Sequence, residues 1–125
     1  MLSDTVPIPR EGRDSLAGRQ TAFRPNGFRH VRLACHGTVL SEAFNWYIPA
    51  RLTPEMNATL ATTRTPFGTV AAPLAFTRTP LATIPGRARP CPAGTISSHR
   101  AVLHLPDGRA LAYLIECYTA AILGR

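Results

Sequence analysis

Two charged residues stand among apolar neighbours on stretches that alternate like β-strands. Arg29 shares one face of the run Arg29–Cys35 with Val31, Leu33 and Cys35, and Glu116 lies between Leu114 and Tyr118 on its face of Ala110–Leu123. An ion on a buried face costs several kcal/mol unless it is paired or meets a polar ligand. Two readings follow. In the first, Arg29 ends its strand in solvent and Glu116 is neutralised by a neighbouring arginine. In the second, both belong to a closed polar site against a sheet, with the planar guanidinium of Arg29 placed to take both oxygens of a carboxylate. Alternation alone does not separate these readings.

Other site chemistries find less in the chain. Ser41, Ser97 and Ser98 lie near histidines, yet no GxSxG elbow or spaced acid accompanies them, which argues against a hydrolase. The glycines form neither GxGxxG nor GxxxxGK[ST], so a phosphate-cradling loop is not supported. Cys35, Cys91 and Cys117 are odd in number and have no CxxC spacing, so they read as reduced, structural thiols. His30, His36, His99 and His104 show no HxxxH pair, and the expectation is that no metal is held.

The 125 residues carry 14 basic against 7 acidic side chains, a net +7, and every basic residue is arginine. Clustering matters more for nucleic-acid binding than net charge does. Six arginines fall in residues 1–32 and eight are spread singly, with no basic helix face and no interleaved exposed aromatics. A nucleic-acid partner is therefore not expected. A hydrophobic content of 45% and this length fit one domain. No apolar run reaches the roughly 18 residues of a membrane span, and residues 1–15 hold no stretch of signal-peptide type. The expectation is a cytoplasmic, non-membrane protein.

The elements that must position Arg29 and Glu116 can be read in outline. Residues 1–27 are polar and lack periodicity, so they are expected to be an irregular tail or cover, with the domain proper at 28–125. Arg29–Cys35, the turn His36-Gly37-Thr38 and Val39–Ile48 predict an antiparallel hairpin. Thr53-Pro54-Glu55 offers an N-cap, a first-turn proline and a dipole-complementing acid, predicting a helix to about Thr63. Thr65-Pro66-Phe67-Gly68 is expected to end it in a turn. Residues 69–95, with five prolines, read mostly as loop with short extended pieces. Ile96–Leu105, the turn Pro106–Arg109 and Ala110–Leu123 predict a second hairpin. The sum is an α+β domain on an antiparallel β-sheet.

The same residues resemble the chorismate lyase family. The segment Arg29-His30-Val31-Arg32-Leu33, Gly37 and Leu40-Ser41-Glu42-Ala43-Phe44-Asn45-Trp46-Tyr47-Ile48-Pro49 is similar to its first hairpin, in the branch with an NWY(V/I)P strand. Leu52–Asn57 with Thr65-Pro66-Phe67-Gly68 resembles its helix and TP(L/F)G turn. His99–Leu103, Asp107-Gly108-Arg109 and Ile115–Thr119 resemble its last hairpin. The resemblance spans about residues 28–123 in order. It implies an antiparallel sheet with few helices on one side, a fold shared with UTRA ligand-sensing domains. It also implies elimination of pyruvate from chorismate to give 4-hydroxybenzoate, without metal or organic cofactor. Arg29 would be the carboxylate anchor and Glu116 the acid at the far end of the ligand, its pKa raised by burial. Asn45, Tyr47, Thr65 and Gly68 would join them in binding substrate. The alternative it implies is a non-catalytic domain that binds an aromatic carboxylate, or a truncated, inactive copy.

The chain departs from the family pattern at several positions. Asn45 stands where better-known lyases have a second arginine, Phe44 and Arg64 where Asp is common, and Thr69 where Arg is usual. The segment before Arg29 is shorter than the family's and lacks the periodicity of its lid helices. Those helices are expected to be missing, and the sheet surface left uncovered would favour a homodimer or instability.

Overall fold

The computed structural model describes residues 5–17 and 26–123. Five antiparallel strands form one sheet: β1 (Gly27–Cys35), β2 (Thr38–Tyr47), β3 (Thr77–Pro85), β4 (Thr95–His104) and β5 (Ala110–Thr119), in the order β1-β2-β5-β4-β3. The two expected hairpins are present, and β2 pairs with β5 to join them. β5 is thus central and almost wholly buried, while β1 and β3 are the edges. The chain turns between β1 and β2 through His36 and Gly37, both at positive φ. Glycine adopts that conformation without the steric cost a side chain brings.

Alternation sends side chains to opposite faces of the sheet, and each face has its own core. Tyr47, Leu103, Ala112 and Leu114 pack under two helices, α2 (Pro54–Thr62) and α3 (Phe67–Ala71), meeting Leu60, Phe67 and Ala71. Thr53 caps α2 as its sequence predicts, its hydroxyl accepting from the Met56 amide at 3.1 Å. Such a cap stabilises a helix by about 1 kcal/mol. On the opposite face Phe44, Trp46, Val102, Tyr113 and Ile115 pack under a third helix, α1 (Arg10–Ala17). Leu16 enters this second core, with Val6 and Ile8 against it, and Trp46 Nε1 donates to the Val6 carbonyl at 2.8 Å.

Several expectations are corrected by this arrangement. Helices lie on both faces of the sheet, because α1 is recruited to the apolar side of β5 that the other two leave bare. Helix α1 falls within the stretch expected to be irregular. Within that stretch, residues 1–4 and 18–25 lie outside the described residues. Gly12 is its point of closest approach: a Cβ there would lie 2.4 Å from the Tyr113 ring. The Tyr113 hydroxyl reaches past it to donate to Glu11 at 2.9 Å. Residues 69–95 are more ordered than expected: they begin with the end of α3 and a 3-10 turn, and the extended piece is one strand, β3, of nine residues. Pro80 fits there because β3 is an edge strand with a bulge at Pro80/Ala82, so no ladder donor is lost from the interior. Gly68 lies inside α3 rather than in a turn, and β5 ends at Thr119 rather than Leu123.

The thiols also differ from expectation. Cys91 and Cys117 form a disulfide across 26 residues of sequence, tying the connection before β4 to the central strand; only Cys35 is free, and it is exposed. Sequence spacing does not show this pairing because it is the path of the β3–β4 connection over β5, not a CxxC motif, that brings the two together. No described helix is long and apolar enough to cross a membrane.

Two outcomes follow from these contacts. Closing a loop of that length is worth about 3.5 kcal/mol in the chain-entropy picture, so reduction or Cys91→Ala/Cys117→Ala should lower Tm by roughly 10 °C. An unchanged Tm with two extra titratable thiols already present would contradict the bond. Burial, helped by the hydrogen bond to Glu11, pushes the Tyr113 pKa up to about 12. A raised folded-state pKa stabilises the protein fully below the ordinary tyrosine value near 10 and loses that contribution as pH rises toward the folded value. Stability should therefore fall between about pH 10 and 12, and the fall should be smaller in Tyr113→Phe, as read by urea unfolding across that range.

Candidate functional site

The strand register lays side chains of the α2-bearing face in rows. One row runs Arg29, Asn45, Leu114 and Ala101; the next runs Val31, Ala43, Glu116 and His99; a third runs Leu33, Ser41, Tyr118 and Ser97. Helix α2 covers only the start of this surface. Beyond it, the sheet, α3 and the α2–α3 connection enclose an open cavity of about 690 Å³, within the usual size range for small-molecule sites. Its apolar wall comes from Phe67, Phe76, Leu103 and Leu114, and its polar groups include Asn45, Arg64, Arg78, Glu116 and Tyr118.

Arg29 is 1% exposed. Its Nε donates to the Leu60 carbonyl at 3.1 Å and its Nη2 to the Thr63 carbonyl at 2.9 Å, while Nη1 is buried without a protein partner. Burial lowers its pKa, and the nearby Tyr47 partly offsets that; an arginine nonetheless keeps its charge at neutral pH. A cation at a helix C-terminus satisfies orphan carbonyls and complements the helix dipole. Arg29 thus fastens the last turn of α2 to the sheet and does not line the cavity.

The other expected site residues divide. Asn45, Gly68 and Glu116 line the cavity; Tyr47 and Thr65 do not. Tyr47 is core, its ring 5.2 Å from that of Phe67, with burial raising its pKa against the pull of Arg29. The Thr65 amide and hydroxyl both engage the Thr63 hydroxyl, so Thr65 shapes the connection after α2. At Gly68 a methyl group would meet Phe76 at 3.7 Å, an ordinary contact, so packing does not demand glycine there.

Asn45 is 5% exposed, lines the cavity, and makes no side-chain hydrogen bond to another described residue. Glu116 is not the buried carboxyl expected: 28% of its side chain is exposed, and Arg78 Nη2 donates to Oε1 at 2.7 Å. The Tyr118 hydroxyl donates to the same oxygen at 3.3 Å, and burial together with that acid raises the Tyr118 pKa. Arg78 stands in proline-rich surroundings that read as loop, and this masks its place beside Glu116. The β-branched side chains of Thr77, Thr79, Thr83 and Ile84 are the signal for a strand there.

A second charged group occupies the opposite face. Glu42, buried between β1 partners, bonds His30 Nε2 at 2.5 Å and Arg32 Nε at 3.2 Å, and His30 stacks on Phe44. The group's charges satisfy one another, and of its members only Arg32 also lines the cavity. Among the described residues no group of three or more His, Cys, Asp or Glu side chains could hold a metal ion.

No family model matches the chain. It is 39% identical over 117 residues to the uncharacterized protein y4mC of Sinorhizobium fredii, an alignment covering 79% of this chain and 49% of that protein. The chain thus spans about half the length of the curated relative it matches.

The role of Arg29 has a measurable consequence. Removing a buried charged group with two charge-assisted hydrogen bonds costs about 3 kcal/mol. Arg29→Met should therefore lower Tm by roughly 10 °C and expose the α2–α3 connection to proteolysis, with Arg29→Lys intermediate. A Tm shift below about 2 °C would contradict the anchoring role.

Proposed function

We propose that the cavity binds a small cyclic or aromatic carboxylate, and that the chain is chorismate lyase-like. The observation that carries this reading is Asn45. Its side chain lies on the cavity wall and bonds to no other described residue, so its amide, open to the cavity, offers two donors and an acceptor to an occupant. Flat apolar walls of Phe67, Phe76 and Leu114 suit a ring, and Glu116 supplies an acceptor for a ring hydroxyl. The reaction that the resemblance implies is loss of enolpyruvate from chorismate. The ring–ether C–O bond breaks, the neighbouring ring carbon loses its proton, and aromatisation leaves 4-hydroxybenzoate while the enol becomes pyruvate. Aromatisation supplies driving force, so holding the substrate in a reactive pose would do much of the work. Glu116 would act at the ether or hydroxyl oxygen.

One observation favours the second reading, a non-catalytic binding domain. Glu116 is held by Arg78 and open to solvent, whereas a carboxyl that donates protons near neutral pH is usually kept from charge partners and water. Calorimetry with 4-hydroxybenzoate and a coupled pyruvate assay with chorismate test both readings together. Binding with pyruvate release that Glu116→Gln lowers at least tenfold supports the lyase. Binding without release supports the binding domain. Absence of both at millimolar ligand would contradict the site itself.

A further inference from the structure

We infer that Arg64, rather than Arg29, is the residue that selects a carboxylate in this cavity; the inference rests on the reading of the cavity as a carboxylate site. Every other arginine near the cavity has its charge engaged. Arg29 is spent on the carbonyls that end α2, Arg32 bonds Glu42, and Arg78 bonds Glu116. Arg64 lines the cavity from the α2–α3 connection and, among the described residues, makes no hydrogen bond or ion pair. Its full guanidinium fork is therefore free to take a carboxylate in two parallel bonds. Asn45, on the sheet side of the same cavity and bonded to no other described side chain or carbonyl, provides an uncharged donor for the same ligand.

The charge balance gives this arrangement its specificity. Arg78 and Glu116 cancel, so Arg64 leaves the cavity with one uncompensated positive charge. An anion gains from it what a neutral isostere of the same shape does not. Arg64 lies on the connection that Arg29 fastens down, so Arg29 acts on the ligand only through the placement of this segment.

Titration calorimetry of the full chain with 4-hydroxybenzoate and with 4-hydroxybenzamide, its uncharged isostere, tests this. The wild type should bind the carboxylate at least tenfold more tightly than the amide. Arg64→Gln should bring the two within about twofold of each other, a factor worth roughly 0.4 kcal/mol, at unchanged Tm. Arg10→Gln, the same charge loss on the helix of the opposite face, should keep the wild-type preference. If Arg64→Gln keeps the full preference for the carboxylate, the assignment is overturned while the cavity reading stands. If the wild type binds neither compound, that reading falls and the assignment falls with it.

Discussion

The guanidinium of Arg29 is the contact on which the functional face depends. It is buried beneath α2 and bonded to the carbonyls of Leu60 and Thr63, so the end of that helix is fixed to the sheet at one point. Everything that roofs the cavity follows directly in sequence: Arg64, the Thr65-Pro66 connection and α3 with Phe67. A buried arginine is expensive to desolvate and persists only where its donors are used. Here two of its donor groups set the height of the connection above β2 and β5. The cavity is in this sense a consequence of how one helix ends.

The sheet makes such a division of labour available. β5 lies between β2 and β4, so its alternate side chains serve two cores. Tyr113, Ile115 and Cys117 face α1, the disulfide and the N-terminal segment. Ala112, Leu114 and Glu116 face α2, α3 and the cavity. One face is closed by a helix, the Trp46–Val6 bond and the Cys91–Cys117 link. The other is only half covered, and the uncovered half holds the polar side chains. The disulfide also bears on setting, since such bonds persist in oxidising surroundings and are rare in a reducing cytoplasm.

Much of the scaffold was legible because it obeys local rules. The two hairpins, the Thr53 cap and the two faces of β5 follow from period-two alternation and capping chemistry. Helix α1 was not legible, because its eight residues carry few apolar positions and gain their place from Gly12 lying against Tyr113. β3 was obscured by prolines that an edge strand tolerates. The disulfide depends on how the loop carrying Cys91 folds over β5, which no spacing rule encodes. For the site, Asn45 and Glu116 were named from sequence and do line the cavity. The partner that changes Glu116, Arg78, comes from the unread strand. Arg29 was singled out for its improbable place on an apolar face; the structure supplies a reason for that place in the carbonyls of α2, which lie more than thirty residues downstream.

The central claim is that the half-covered face, through Asn45, meets a carboxylated ring. The most direct measurement is NMR of isotopically labelled protein titrated with 4-hydroxybenzoate, following the Asn45 side-chain amide. The account predicts a saturable shift of that amide together with Leu114 and Phe67, with the Trp46 indole on the opposite face unmoved. A silent Asn45 amide, or shifts centred on Trp46 and His30, would contradict it.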